Sequence, residues 1–176
     1  MTSRPDPQAR GAVTVRPALV TDVRTIARLV QPYARTNTLI TKDLVAYFES
    51  VQEFLVAEDP DGGTVGCGAL HVMWDDIGEV RTLAVDEAYL RRGIGGMLLE
   101  ALLDRARRLG LRRLFCLTFE VDFFARHGFE VIEGTPVGVD VQAELLRSHD
   151  DGVAEFLDLA RVKPNTLGNT RMLLEL

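Results

Sequence analysis

Cysteine is scarce in this chain, and no long run of one charge occurs. Cys67 and Cys116 lie far apart within apolar, strand-like stretches. That excludes a disulfide framework and metal-ligand spacing, and it reads as two small core residues of a reducing compartment. The three histidines, His71, His127 and His149, also lack ligand spacing, so no metal is expected. Basic side chains gather only at Arg105, Arg107, Arg108, Arg112 and Arg113, a solvated helix end whose cations suit the C-terminal dipole. With a formal net charge of −6 and no basic face, the chain is a poor match for nucleic acid, where phosphate neutralisation dominates affinity. No apolar run approaches a membrane span. Residues 1–12 are polar and hold no apolar core of a signal peptide, so a cytoplasmic protein is expected. Internal repeats and low-complexity segments are absent.

What is present is ordinary globular material, 176 residues of which 47% are hydrophobic and 26% charged. The expectation is a disordered start over 1–12 and a single domain over 13–176. A short strand over 12–16 closes at Pro17, which cannot donate in a ladder. Thr21 or Asp22 caps a helix that turns Val23, Ile26, Ala27 and Val30 inward. Thr41 caps a second helix, with Leu44, Tyr47, Phe48 and Val51 on its inner face. Two β-prone runs, 53–58 and 64–73, flank a turn of Asp59-Pro60-Asp61-Gly62-Gly63 and form an antiparallel hairpin. A further strand covers 79–85. A long helix over 93–109 turns Ile94, Met97, Leu98, Ala101 and Leu102 inward and stops at Gly110. Then come a strand over 112–118, a short helix over 121–127, and strands over 129–132 and 171–176. The stretch 133–170 holds either one or two helices, over 141–147 and 152–160, or an irregular insert. This order implies an α/β (α+β) fold, a mixed and mainly antiparallel sheet of about six to seven strands flanked by helices.

The chemistry concentrates in EVRTLAVDEAYLRRGIGGMLLEALL, residues 79–103. A strand runs into an arginine- and glycine-rich loop that opens a long amphipathic helix. Helix N-termini present unpaired N–H groups at a positive dipole end, which suits phosphate. Gly93, Gly95 and Gly96 remove side chains that would hold a pyrophosphate away, and Arg91 and Arg92 supply charge. A P-loop would need a Gly-Lys-Ser/Thr ending, and a Rossmann fingerprint would follow the first strand with Gly-x-Gly-x-x-Gly spacing. This loop follows the fourth strand and fits neither.

The loop resembles the acetyl-CoA loop of the GNAT superfamily, Arg/Gln-x-x-Gly-x-Gly/Ala, matched by Leu90-Arg91-Arg92-Gly93-Ile94-Gly95 with Leu90 in place of the first consensus residue. The opening VRPALVTDV and the FFARHGF of 123–129 are similar to the same superfamily. The resemblance implies acetyl-CoA as co-substrate, its pantetheine arm beside the backbone of Leu83, Ala84 and Val85. The diphosphate would lie on Arg91, Arg92, Gly93, Ile94, Gly95 and Gly96. It also implies direct attack of a neutral amine on the thioester. An amine with a pKa of about 8 or above is mostly protonated at neutral pH, so a base is needed, and Glu79 stands where several members keep a glutamate that works through water. The tyrosine that often serves as acid is replaced by Phe124, which is expected beside the cofactor with no proton to give.

Within the superfamily, the stretches TLITKDLVAYF, IGEVRTLAVDEAYLRRGIG, LRRLFCLTFEVDFFARHGF and NTRMLLEL resemble the acetyltransferase domain of the N-acetylglutamate synthases, the first enzymes of bacterial arginine biosynthesis. That resemblance implies an amino-acid acceptor, with Lys42, Arg81, Phe119 and Glu120 on the substrate side and a homodimer as a possible assembly. Lys42 stands where many of these enzymes hold the substrate carboxylate with an arginine; it keeps the charge and loses the bidentate fork. Glu120 replaces a position where a γ-carboxylate would want a cation, which leaves room for glutamine beside glutamate. The kinase-like arginine-sensing domain of the longer enzymes is not expected within these 176 residues. Other readings are an acetyltransferase for another small amine or a protein N-terminus, and a non-catalytic acetyl-CoA sensor.

Overall fold

A computed structural model describes residues 12–35, 39, 42–159 and 168–176. The Thr41 cap and the start over 1–11 lie outside the described residues. Seven strands form one sheet in the order β1-β2-β3-β4-β5-β7-β6: β1 Thr14–Pro17, β2 Phe54–Glu58, β3 Thr64–Val72, β4 Ile77–Val85, β5 Arg113–Thr118, β6 Glu130–Val131 and β7 Thr170–Glu175. Every pairing is antiparallel except β4 with β5. Helix α1 spans Val23–Arg35, α2 Leu44–Glu49, α3 Ile94–Leu109, α4 Val121–Ala125, α5 Val139–Leu145 and α6 Asp151–Phe156.

The hairpin forms as the turn chemistry predicts. Asp59 Oδ1 accepts the N–H groups of Asp61 at 3.1 Å and Gly63 at 2.7 Å, which reverses the chain within five residues. Asp22 does not cap α1. Its carboxylate reaches back to the Leu19 N–H at 2.7 Å, and Arg16 and Thr64 bind it as well. Asp22 thereby ties β1, the entry to α1 and β3 together, and the Arg16 guanidinium holds its carboxyl below the usual range.

Two faces of the sheet are covered differently. On one, α3 packs Leu98, Leu99, Leu102, Leu103 and Ala106 against Leu55, Val65, Leu70, Val80 and Leu114. Burying each such leucine contributes roughly 1.5–3 kcal/mol. The close approach needs Gly66 and Gly68 on β3, where an added Cβ would lie 3.0 Å from Leu98 and Leu102 side-chain atoms. On the other face, α1 buries Val23, Ile26, Leu29 and Val30 against Phe54, Val56, Cys67 and Ala69. Farther along, α5 and α6 bring Leu145, Val153 and Phe156 onto Met73, Ile77 and Phe115. The stretch 133–159 is therefore helical cover for the β4–β5 end of the sheet.

Three inward assignments are corrected. Leu44 and Phe48 are 37% and 40% exposed because α2 is only six residues long and turns Tyr47 alone into the core. Met97 is 41% exposed; Leu99, two residues on, takes an inward place beside Leu98. Both cysteines are buried as expected, and burial pushes the thiols up, Cys67 to about 12.

Candidate active site

The site is set by what happens to β4. It pairs with β5 only over Ile77, Gly78 and Glu79, and beyond Glu79 the two parallel strands part. On its other side the β3 register shifts between Cys67 and Ala69, so β4 carries an extra residue there, and Thr82 takes a left-handed φ of 58°. The bulge changes which face each side chain meets. Glu79 and Arg81 share the face of α1 and α6 before it, and Ala84 returns to that face after it.

Past the bulge, Asp86 N–H donates to the Val65 carbonyl at 2.9 Å. Bonded pairs alternate in an antiparallel ladder, so Ala84 pairs inward with Cys67 and the backbones of Leu83 and Val85 point to the open side. The Val85 carbonyl is occupied by the Tyr33 hydroxyl at 2.7 Å. A pantetheine arm on this edge would therefore meet the main chain of Leu83 and the Val85 N–H, while Ala84 presents none.

At the foot of the same edge, a 3₁₀ turn over Glu87–Tyr89 leads to the loop. Arg91 has φ 62° and Gly93 φ 79°, the left-handed turn that aims the chain into α3. Gly93 is the helix N-cap and supplies no side-chain bond, so the first-turn N–H groups stay unclaimed by a cap. Arg91 and Arg92 are exposed; Arg92 stacks 4.8 Å from the Tyr89 ring centroid. Across the loop stand Phe123 and His127: Cβ atoms built on Gly95 and Gly96 would lie 3.7 Å from the Phe123 ring and 3.5 Å from His127 Nε2. Phe124 is corrected here. It is 6% exposed and packs edge-to-face on Phe129 in the core, because adjacent residues on a helix point about 100° apart and Phe123 takes the outward place.

Above the splay lies a cavity lined by Leu39, Lys42, Glu79, Arg81, Leu117 and Glu155, among others. Glu79 is 3% exposed, and its Oε2 accepts from Arg81 Nε at 2.9 Å. Arg81 also donates to Asp150 Oδ2 at 3.1 Å, so its guanidinium is committed to two protein carboxylates and positions Glu79. Burial opposes ionisation of Asp150, yet Arg81 and the Val153 N–H hold it down at about 2. Lys42 makes no ion pair with a described residue; burial and the Arg81 charge lower its ammonium below the usual value. Phe119 and Glu120 do not line this cavity. Phe119 is 43% exposed against Gly168, and Glu120 is exposed at the start of α4, where its backbone carbonyl, not its side chain, accepts from Phe123 and Phe124. No metal-holding cluster of His, Cys, Asp and Glu occurs among the described residues. No helix is long and apolar enough to cross a membrane among them either.

Sequence reasoning missed Glu155. It is 6% exposed, and burial, reinforced by the Glu79 charge, pushes its carboxyl up to about 7. The signal was present as a lone carboxylate in the apolar run Val153-Ala154-Glu155-Phe156. A folded-state pKa above the unfolded value of 4.5 gives stabilisation that is complete below that value and lost as pH rises through about 7. Glutamine stays neutral and escapes this loss. The stability of Glu155→Gln relative to the native chain should therefore rise between about pH 5 and pH 8, on the order of 3 kcal/mol or several degrees of Tm. Thermal melts with a pH-independent difference would contradict the assignment.

A bulged strand, a parting parallel pair and an open helix N-terminus define an acyl-CoA-type acyltransferase scaffold. The acetyltransferase (GNAT) family model matches residues 23–129, and the chain belongs to this family. An amino-acid acetyltransferase of Mycobacterium tuberculosis is 58% identical over 92% of this chain and 94% of its own length. Rv2747 from that organism, solved with CoA and a ligand designated NLQ, superposes at a TM-score of 0.90 with 58% identity, covering 93% of this chain and 99% of that one. The N-acetylglutamate synthase of Neisseria gonorrhoeae, solved with coenzyme A and N-acetyl-glutamate, gives a TM-score of 0.75 at 25% identity, over 94% of this chain but 35% of its own. The Yersinia pseudotuberculosis amino-acid acetyltransferases are 33% identical, and the match spans 29% of their length.

Proposed function

We propose that this protein transfers the acetyl group of acetyl-CoA to the α-amine of an amino acid of the glutamate or glutamine type, the reaction that opens arginine biosynthesis. The observation that carries this reading is the near-full-length likeness to the amino-acid acetyltransferase of M. tuberculosis at 58% identity. The geometry supports it. Glu79 lies beside the point where β4 and β5 part, next to the edge suited to the pantetheine, and it lines the cavity while Arg81 holds it through Oε2. An amine, or a water that relays its proton, fits there. Lys42, a cation without an ion pair among the described residues, lines the same cavity and suits an α-carboxylate. Acetyl-CoA would rest its diphosphate on the residues from Arg91 to Gly96. A cytoplasmic homodimer completes the reading.

An acceptor screen with acetyl-CoA, following released thiol over the common amino acids, polyamines and aminoglycosides, tests it. Turnover confined to polyamines or aminoglycosides would overturn it. Lys42→Ala should raise the KM for glutamate and glutamine alike by about tenfold or more, the cost of one charge-assisted pair, because the α-carboxylate is common to both. Steady-state kinetics with both acceptors read this directly; unchanged KM values would free Lys42 from the role.

A further inference from the structure

Only two buried side-chain atoms among the described residues lack a hydrogen-bond partner: Glu155 Oε1 and Asn169 Oδ1. Both residues line the cavity that holds Glu79, Lys42 and Arg81. An orphaned buried acceptor costs about 1–3 kcal/mol, so two facing one cavity are a standing demand for donors. No described side chain answers that demand with a hydrogen bond. Arg81 turns its donors to Glu79, Asp150 and Met73 Sδ, and Gly152 brings α6 so close that an added Cβ would lie 2.8 Å from Arg81 Cζ. Arg171 of β7 bonds the backbone carbonyls of Glu155 and Phe156, which ties the end of α6 to the strand that Asn169 precedes. The two oxygens are therefore held in place without being satisfied.

If the acceptor's amine sits at Glu79 and its α-carboxylate at Lys42, its side chain is left to face α6 and the start of β7. A primary carboxamide nitrogen carries two hydrogens and no charge; a carboxylate carries none and is repelled by an ionised glutamate. We propose that Glu155 and Asn169 are the specificity-determining pair of this site, receiving the two N–H bonds of an acceptor side-chain carboxamide and selecting glutamine over glutamate. This rests on the amino-acid reading above, and it moves acceptor selection from Glu120 to a carboxylate in the α6 cover.

The charged groups around Glu155 are Glu79 and Arg81 on β4, Lys42 before α2, Asp151 on its own helix and Arg171 on β7. As pH rises through about 7, Glu155 ionises, accepting better from an amide and repelling a carboxylate more strongly. The α-amine is shared by both substrates, so its titration largely cancels in their ratio.

The test is kcat/KM for glutamine and for glutamate from about pH 6 to about pH 9, with the native enzyme, Glu155→Gln and Asn169→Ala. The native enzyme should favour glutamine by about tenfold or more at the alkaline end, the size of one discriminating hydrogen-bonded group. That preference should grow with pH. Glu155→Gln should lose at least fivefold of it and flatten its pH dependence, with kcat/KM for glutamate rising at the alkaline end as the repulsion is removed and CoA affinity by calorimetry within twofold. Asn169→Ala should lower glutamine selectively, and it carries the test alone if Glu155→Gln does not fold. Unchanged selectivity in folded variants, or equal losses for both acceptors, overturns the pair while leaving the amino-acid reading intact. A native enzyme that acetylates neither amino acid overturns both, and the wild type alone shows which has failed.

Discussion

Glu79→Gln is expected to lower turnover about a hundredfold or more at neutral pH, with a residual rate that climbs with pH. The magnitude is that of losing a positioned general base, and the pH trend follows because free base amine then arises from solvent rather than from the side chain. Glutamine keeps an oxygen for Arg81 Nε, and Asp150 still pairs with the guanidinium, so the buried Arg81 retains an anionic partner and the fold persists. CoA affinity is expected to stay within a few-fold, because the loop from Arg91 to Gly96 lies at the other end of β4. Near-normal turnover in a folded variant would remove Glu79 from the mechanism. The comparison with Glu155→Gln then identifies the base. If Glu155 took the proton, its loss would slow glutamine and glutamate equally, whereas an acceptor-reading Glu155 separates them.

The outcome of sequence reasoning tracks how local each signal was. The hairpin at Asp59 and the helix stop at Gly110 are written in a few adjacent residues, and the structure places both where turn chemistry puts them. The succession of strands along the chain followed from those turns and from hydrophobic period, whereas their side-by-side order in the sheet did not. Where a single turn of helix decides orientation, the reading failed. Phe123 and Phe124 have nearly the same chemistry, and only packing on Phe129 shows which is core. The same holds for Met97 and Leu99.

The site was half legible. The edge proposed for the cofactor is local sequence, and the loop glycines mark it. The parting of β4 from β5 depends on strands separated by the whole of α3, and the bulge at Thr82 leaves no composition signature because threonine is an ordinary strand residue. The stretch after Glu133 resisted reading because α5 and α6 have seven and six residues, too short for a helical period to emerge. One cue was available. Asp150 caps α6 by accepting from Val153 N–H at 2.9 Å, and an Asp-Asp-Gly ahead of an apolar run is an N-terminus signal. Read that way, Glu155 falls on a buried helix and becomes a carboxylate that needs a reason.

The loop assignment makes the other large prediction. Gly95→Val should weaken acetyl-CoA binding at least tenfold, about 1.4 kcal/mol or more, with the fold retained. Both halves follow from the environment of Gly95. A Cβ there meets only the Phe123 ring at 3.7 Å and Val85 Cγ2 at 3.9 Å, ordinary contact distances that demand no shift. Gly95 has no left-handed φ, unlike Gly93, and valine is a better helix residue than glycine, so folding is expected to gain slightly. The space a side chain would fill lies between the first turn of α3, Phe123 and the end of β4, where the backbone N–H groups must be approached closely by a pyrophosphate. The loss is thus steric and falls on the ligand. Gly95→Ala should show a smaller loss than valine, since it fills less of that space. Calorimetric titration of the folded variants with acetyl-CoA measures the gradation. Equal affinity across glycine, alanine and valine would place the diphosphate elsewhere and dismantle the loop assignment, while leaving Glu79 and the acceptor cavity to be judged on their own kinetics.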